Sequence, residues 1–189
     1  MKHWQLLSTR TILQTPWMSI LKKRYLMPGR AVEEDHYVID RNDFVVAIAT
    51  EGDTVRLVRH YRPAHDRFHW EAPGGGLEPG EPPETGAARE LLEETGLTAA
   101  STRLLGVLYA LPGYIRSTGS IVHCPLSDAP AAGFDRQEID AVIQVSWDEV
   151  ARMIVAGEID EMQTVSALLL AREVLTRDAR VPLPLLAAV

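Results

Sequence analysis

Glu90, Glu93 and Glu94 stand at i, i+3 and i+4 within a stretch, Pro83 to Thr95, that reads as a helix. That spacing projects all three carboxylates from one helix face. Glu81 lies just upstream, at the end of the glycine-rich run Gly74-Gly75-Gly76-Leu77-Glu78-Pro79-Gly80. Like charges so arranged cost a helix about 0.2–0.5 kcal/mol per pair. On spacing alone the favoured reading is a solvated acidic face with Arg89 as local counterion. The chemical alternative is a site for hard divalent cations, which take oxygen ligands and keep waters that a phosphate can replace. On the other side of the helix, Ala87, Ala88 and Leu91 are apolar and short. They let the backbone lie close against a sheet, which would hold the carboxylates rigidly at one end of the glycine run.

Other site patterns fail at identifiable residues. A phosphate-binding P-loop needs Lys after its second glycine, but Gly75-x4-Gly80 is followed by Glu81, which repels phosphate. The dinucleotide pattern starting at Gly74 and Gly76 breaks at Pro79. No Gly-x-Ser-x-Gly elbow occurs, and Cys124 has no companions for a zinc site. His65 and His69 are four apart, yet Pro63 and the flanking strand pattern argue against a helical metal pair.

The positioning elements follow from periodicity and punctuation. Phe44–Thr50 and Val55–Tyr61 are β-forming runs around the hairpin signal Glu51-Gly52-Asp53. Arg103–Ala110 and Ser120–Leu126 read as further strands, and apolar–polar alternation predicts another from Ile139 to Trp147. The Pro83–Thr95 helix has proline near its start and Gly96 as its stop. Ser146-Trp147-Asp148-Glu149 has capping-box spacing and opens a helix through Val155 that stops at Gly157; a last helix covers about 161–177. Upstream, Ile12-Leu13, Met18–Ile20 and Tyr37–Ile39 predict short strands, with Lys22-Lys23-Arg24 as a solvated turn or strand end. Strands and helices mix without regular alternation, which predicts an α+β fold with a mixed sheet.

Composition bounds the rest. A chain of 189 residues with 46% hydrophobic and 24% charged residues supports a self-sufficient core and excludes intrinsic disorder. No apolar stretch approaches the roughly 20 residues that cross a bilayer. A net charge of −7 argues against general nucleic-acid binding, so an anionic ligand would need local arginines or a metal. One cysteine and no signal-peptide pattern at Met1-Lys2-His3-Trp4-Gln5 lead to the expectation of a cytoplasmic protein.

The run Gly75-x5-Glu81-x7-Arg89-Glu90-Leu91-x-Glu93-Glu94-x-Gly96-Leu97 resembles, position for position, the signature box of the Nudix hydrolases. That likeness overturns the solvated-face reading. Val58-Arg59-His60-Tyr61-Arg62-Pro63 and Trp70-Glu71-Ala72-Pro73-Gly74-Gly75 are similar to the segments before the box in ADP-ribose pyrophosphatases, and Pro112, fifteen residues beyond Leu97, is similar to that subfamily's marker proline. Gly157-Glu158-Ile159 and the helix after it resemble the subfamily's C-terminal part, so the likeness spans about 44–177.

The resemblance implies a Nudix fold, an α/β/α sandwich around a mixed β-sheet, with an N-terminal β arm. It divides the chain into an arm over 1–43 that serves dimerisation, a Nudix hydrolase domain over 44–178 and a tail over 179–189. It implies Mg²⁺-dependent hydrolysis, with Mn²⁺ as a substitute, of the diphosphate linkage in ADP-ribose or a related nucleoside diphosphate sugar. The products would be a nucleoside monophosphate and a sugar phosphate. Glu90 and Glu94 would be the main metal ligands, Glu93 would contribute, and the Gly74 carbonyl would reach a metal. Glu81 would edge the cluster and Arg89 would pair with box carboxylates. Arg62 would contact the diphosphate or terminal sugar, with Glu71 beside the pocket.

One departure is visible: the subfamily's loop glutamate is missing from Gly113–Ser120. The base would then be Glu93 or Glu138, or the protein would cleave slowly or not at all. Arg116 in that loop suits a negatively charged substrate portion. The alternatives are a Nudix pyrophosphatase for NADH or a nucleoside triphosphate, and a non-catalytic nucleotide-sensing module. A homodimer is expected through Trp4, Trp17 and Tyr25, with neither nucleic acid nor membrane as partner.

Overall fold

A computed structural model describes residues 3–29, 32–129, 133 and 138–177. The chain forms two units, one from Met1–Asp43 with Tyr109–Thr118, the other from Phe44–Leu108 with Gly119–Val189. In the first unit β1 (Gln5–Gln14), β2 (Met18–Leu26), β3 (Glu33–Arg41) and β9 (Ile115–Arg116) make a sheet in the order β1-β2-β3-β9. These strands are longer than the apolar dipeptides predict. All ten residues of β1 are exposed, so no face needs the apolar alternation by which a strand is read. Lys22-Lys23-Arg24 is no turn: it lies inside β2, where Lys22 meets Asp35 at 2.7 Å and Arg24 Nε meets Asp35 at 2.9 Å across β3. Those cross-strand ion pairs let a cationic run adopt a strand. Tyr25 is half-buried and sits edge-on to Trp4 and His36.

The second unit is built on β4 (Phe44–Glu51), buried over Phe44–Thr50. A strand buried continuously must be covered on both faces. It pairs in parallel with β10 (Thr118–Pro125) and antiparallel with β5 (Thr54–Arg62). Outside these run β11 (Ile139–Ser146) beside β5 and β8 (Arg103–Tyr109) beside β10, giving the order β11-β5-β4-β10-β8. β6 (Arg67–Glu71) pairs with β5, and β7 (Gly74–Gly76) with β4. On one face α1 (Pro83–Thr95) inserts Ala87 and Leu91 among Val45, Ala47, Ala49, Val122 and Cys124, all fully buried. Small residues on helix and strand together permit that close approach. α3 (Met162–Thr176) also lies against β4 and buries Ala167, Leu168 and Ala171.

Helix limits follow local chemistry. Pro83 takes the first position of α1, and Gly96 ends it with a left-handed φ of 71° that a side chain would disfavour. Ser146 caps α2 (Trp147–Val155) by accepting the Glu149 N–H at 3.2 Å. Trp147 therefore opens a helix instead of closing the strand, because the cap decides where the extended backbone stops. The mixed sheet with flanking helices is the expected α+β architecture. The sequence-predicted tail, 179–189, lies outside the described residues.

Candidate active site

β7 carries the glycine run beneath the acidic face of α1. It pairs Gly74 with Val46 and Gly75 with Val45, and a Cβ on Gly75 would stand 2.5 Å from Glu90 Oε1. Only glycine leaves room for that carboxylate. The Gly74 N–H donates to Glu94 Oε2 at 3.0 Å, tying strand to helix.

Arg89 organises the other box acids. Its Nε and Nη2 donate to the two oxygens of Glu81 at 3.0 and 2.9 Å, and Nη2 also donates to the Gly76 carbonyl. Nη1 reaches Glu90 at 2.8 Å and Glu93 at 3.1 Å. One guanidinium thus offsets three carboxylates, and the Glu81 carboxyl, forked by Arg89, is held down near 2.

Glu90 and Glu94 are in a different state. Burial raises the Glu90 carboxyl, against the pull of Arg89. Burial pushes Glu94 up to about 8, helped by the charges of Glu90 and Glu71 and opposed by the Gly74 N–H and Arg62. A buried and a half-buried neighbouring carboxyl, both raised by burial, form an oxygen-only donor set of the kind a hard divalent cation takes. With Arg89 occupying Glu90 and Glu93, no three acidic, His or Cys side chains among the described residues converge in ligating geometry. Metal binding would require Glu90 to exchange the guanidinium for the ion. Glu93, with 55% of its side chain exposed, is the open member of the face.

The β5–β6 hairpin supplies the adjoining wall. Its register pairs Val58 with Glu71, His60 with His69 and Arg62 with Arg67, so these side chains share one face. Arg62 donates Nε to Glu71 at 2.9 Å and Nη2 to the other oxygen, forming a fork on a buried carboxylate. His60 is buried, and burial followed by the charge of Arg62 lowers its pKa. Its Nε2 lies 3.2 Å from Glu138 Oε2, and its Nδ1 lies 3.7 Å from Glu94 Oε1. An exposed acid 44 residues beyond Glu94 is thereby brought to the site through one imidazole. The His65 and His69 rings meet at 5.2 Å, tilted by 57°, but His69 gives its Nδ1 to Asp160 at 2.8 Å, a structural pairing.

Arg116 belongs to the first unit, where it meets Asp40 at 2.7 Å. Of the acids and arginines named from the sequence, Glu71, Glu90, Glu93, Glu94 and Arg62 stand around the glycine strand, and Glu138 joins through His60. Sequence reasoning missed the bridging role of His60 and the Arg67–Asp160 pairing. The two-residue periodicity Val58-His60-Arg62 was the available signal for His60.

Residues 40–172 match the NUDIX domain family. The chain is 31% identical over 129 residues to an ADP-ribose pyrophosphatase of Bacillus subtilis (strain 168), covering 66% of this chain and 68% of that one. It is 27% identical to an ADP-ribose pyrophosphatase of Mycobacterium tuberculosis, over 96% of this chain and 89% of that one. The solved crystal structure of an ADP compounds hydrolase superposes with a TM-score of 0.82 at 22% identity, covering 95% of this chain and 98% of that one. A glycine strand laid under the acidic face of a helix, in a chain matched across most of its length, shows that this protein belongs to the Nudix hydrolase family.

Proposed function

We propose that the protein hydrolyses the diphosphate linkage of ADP-ribose or a related nucleoside diphosphate sugar with Mg²⁺, giving a nucleoside monophosphate and a sugar phosphate. The observation that carries this reading is the pair Glu90–Glu94, half-buried and buried, both raised by burial and with only Arg89 ion-paired to Glu90, with Arg62 forked on Glu71 alongside. The relatives named ADP-ribose pyrophosphatase supply the substrate class. Glu90 and Glu94 would hold the cation, with Glu93 and the Gly74 carbonyl contributing. A bound divalent ion would neutralise diphosphate charge and lower the pKa of an attacking water.

The protein's own groups do the rest. Arg62, held by Glu71, orients the diphosphate with a fixed fork of donors. Glu93, the most exposed of the three helix glutamates, would accept the proton of the water when it is not engaged with the cation. Glu138 is the alternative acceptor, connected to Glu94 through His60. Arg116 would face a negatively charged part of the substrate. The division into arm, hydrolase domain and tail at 43/44 and 178/179 belongs to the same reading, as do a cytoplasmic location and a homodimer. Support for the homodimer lies in the fully exposed β1 and in Trp17, 80% exposed.

The test is a panel of ADP-ribose, nucleotide sugars, NADH and nucleoside triphosphates incubated with Mg²⁺, reading released phosphomonoester. ADP-ribose or a nucleotide sugar is expected to turn over fastest. Glu94→Gln and Glu93→Gln are each expected to lower kcat by about 10²-fold or more, as for loss of a positioned acid–base group; near-native turnover in both overturns the assignment. Should Glu138→Gln exceed Glu93→Gln in its loss of kcat, the proton acceptor is Glu138. A second reading, a nucleotide-sensing module without turnover, rests on the absence of a carboxylate from 113–120. Binding of ADP-ribose with no product under Mg²⁺ or Mn²⁺ would favour it.

A further inference from the structure

The β5–β6 hairpin sets Arg62 directly opposite Arg67. Side chains so paired have Cβ atoms about 4.5–5.5 Å apart, and two like charges there repel. Each guanidinium is held from one side. Glu71 takes Nε and Nη2 of Arg62. Asp160, from the connection between α2 and α3, takes Nη2 of Arg67 and the Nδ1 of His69, and the Nε of Arg67 reaches His69 Nε2 at 3.3 Å. Among the described residues neither Nη1 has a hydrogen-bond partner. Of the holding groups Glu71 and His69 are covered, at 5% and 7% side-chain exposure, and Asp160 is 33% exposed, whereas Arg62 and Arg67 are 41% and 53% exposed. Burial, and then the charges of Arg67, His65 and Arg62, lower the His69 pKa.

Order along the face fixes what the pair can hold. Arg62 lies within electrostatic reach of Glu94, and the Arg62–Arg67 pair stands one pairing nearer the hairpin turn than His60–His69, whose His60 approaches Glu94 at 3.7 Å. A diphosphate with one phosphate at the glutamate cluster would present its other phosphate toward these two forks. Resting on the diphosphate hydrolase reading above, we propose that Arg67 is a substrate-binding residue: with Arg62 it forms a two-guanidinium clamp for the phosphate remote from the glutamates. Asp160 and His69 position Arg67 and make no substrate contact.

The test is Arg67→Gln and Arg67→Lys in the full chain, with ADP-ribose and Mg²⁺. Arg67→Gln raises KM about tenfold or more and leaves kcat within about threefold. Arg67→Lys keeps the charge but not the fork and falls between. AMP and ribose 5-phosphate are then used as product inhibitors: one of them, the product whose phosphate the clamp holds, loses inhibition in Arg67→Gln, and the other keeps it. Calorimetric titration of ADP-ribose in EDTA weakens by a similar factor, a readout independent of the metal. Unchanged KM in either folded variant, or equal loss of inhibition by both products, overturns the clamp. If Arg67→Gln does not fold, Arg67→Lys alone decides. A wild-type protein that neither binds nor cleaves any diphosphate of the panel overturns the hydrolase reading instead.

Discussion

Glu94 concentrates the energetics of the site in one side chain. Its carboxyl is mostly buried, accepts one backbone N–H, and is pushed from the ordinary 4.5 up to about 8. In the unfolded chain it releases its proton near 4.5; in the folded protein it keeps it until about 8. Between those values the folded state binds more protons than the unfolded one, so Glu94 erodes stability as pH rises through this window. Glu90 shifts in the same direction from the same cause. Relative to Glu94→Gln, the melting temperature of the wild type in EDTA is therefore expected to decline with pH from 5 to 8, the histidines whose pKa burial lowers acting equally in both. Added Mg²⁺ flattens that decline, because an ion that binds the carboxylate replaces the missing charge. Identical slopes in wild type and Glu94→Gln would show that burial of this carboxyl does not govern the pH dependence.

The decisive elements are a three-residue strand and the helix it underlies. β7 carries no side chains and so admits α1 at a distance that brings Glu90 over Gly75. In Gly75→Ala the new methyl meets the far end of a flexible carboxylate, not backbone. The fold tolerates this by swinging Glu90 aside, and the cation site loses a ligand. The expected outcome is a melting temperature within a few degrees of wild type in EDTA, with metal affinity weaker by about tenfold or more, the scale seen when ligand positioning is lost. Metal titration followed by calorimetry checks it, and unchanged affinity would mean that Glu90 does not ligate. Most of this level was legible beforehand: α1 begins and ends where proline and glycine put it, because these residues act through local backbone geometry. β6 and β9 were not legible as elements. They are short, and β6 is a strand only because β5 offers it a partner.

At the scale of the molecule, the outstanding feature of the first unit is an unpaired edge. β1 is the terminal strand of its sheet, exposed at every residue, and edge strands of this length are templates for a second chain. Leu6, Leu7, Ile12 and Leu13 along it are each more than 40% exposed. A solution mass of twice 21.0 kDa is expected from light scattering at micromolar concentration, and Leu13→Asp is expected to shift it toward one chain. A mass of 21.0 kDa for the wild type removes the dimer.

The sequence by itself determined the family, the acidic helix with both its ends, and which glutamates share a face. All of these are set within a few consecutive turns of backbone, where spacing is geometry. Tertiary structure alone decided that Glu138 meets His60, that Asp160 holds Arg67 opposite Arg62, and that Glu94 is buried while Glu93 is open. Those outcomes depend on hairpin register and on packing between residues up to 93 positions apart, and burial, which pushes the Glu94 carboxyl up to about 8, has no local signature in the chain.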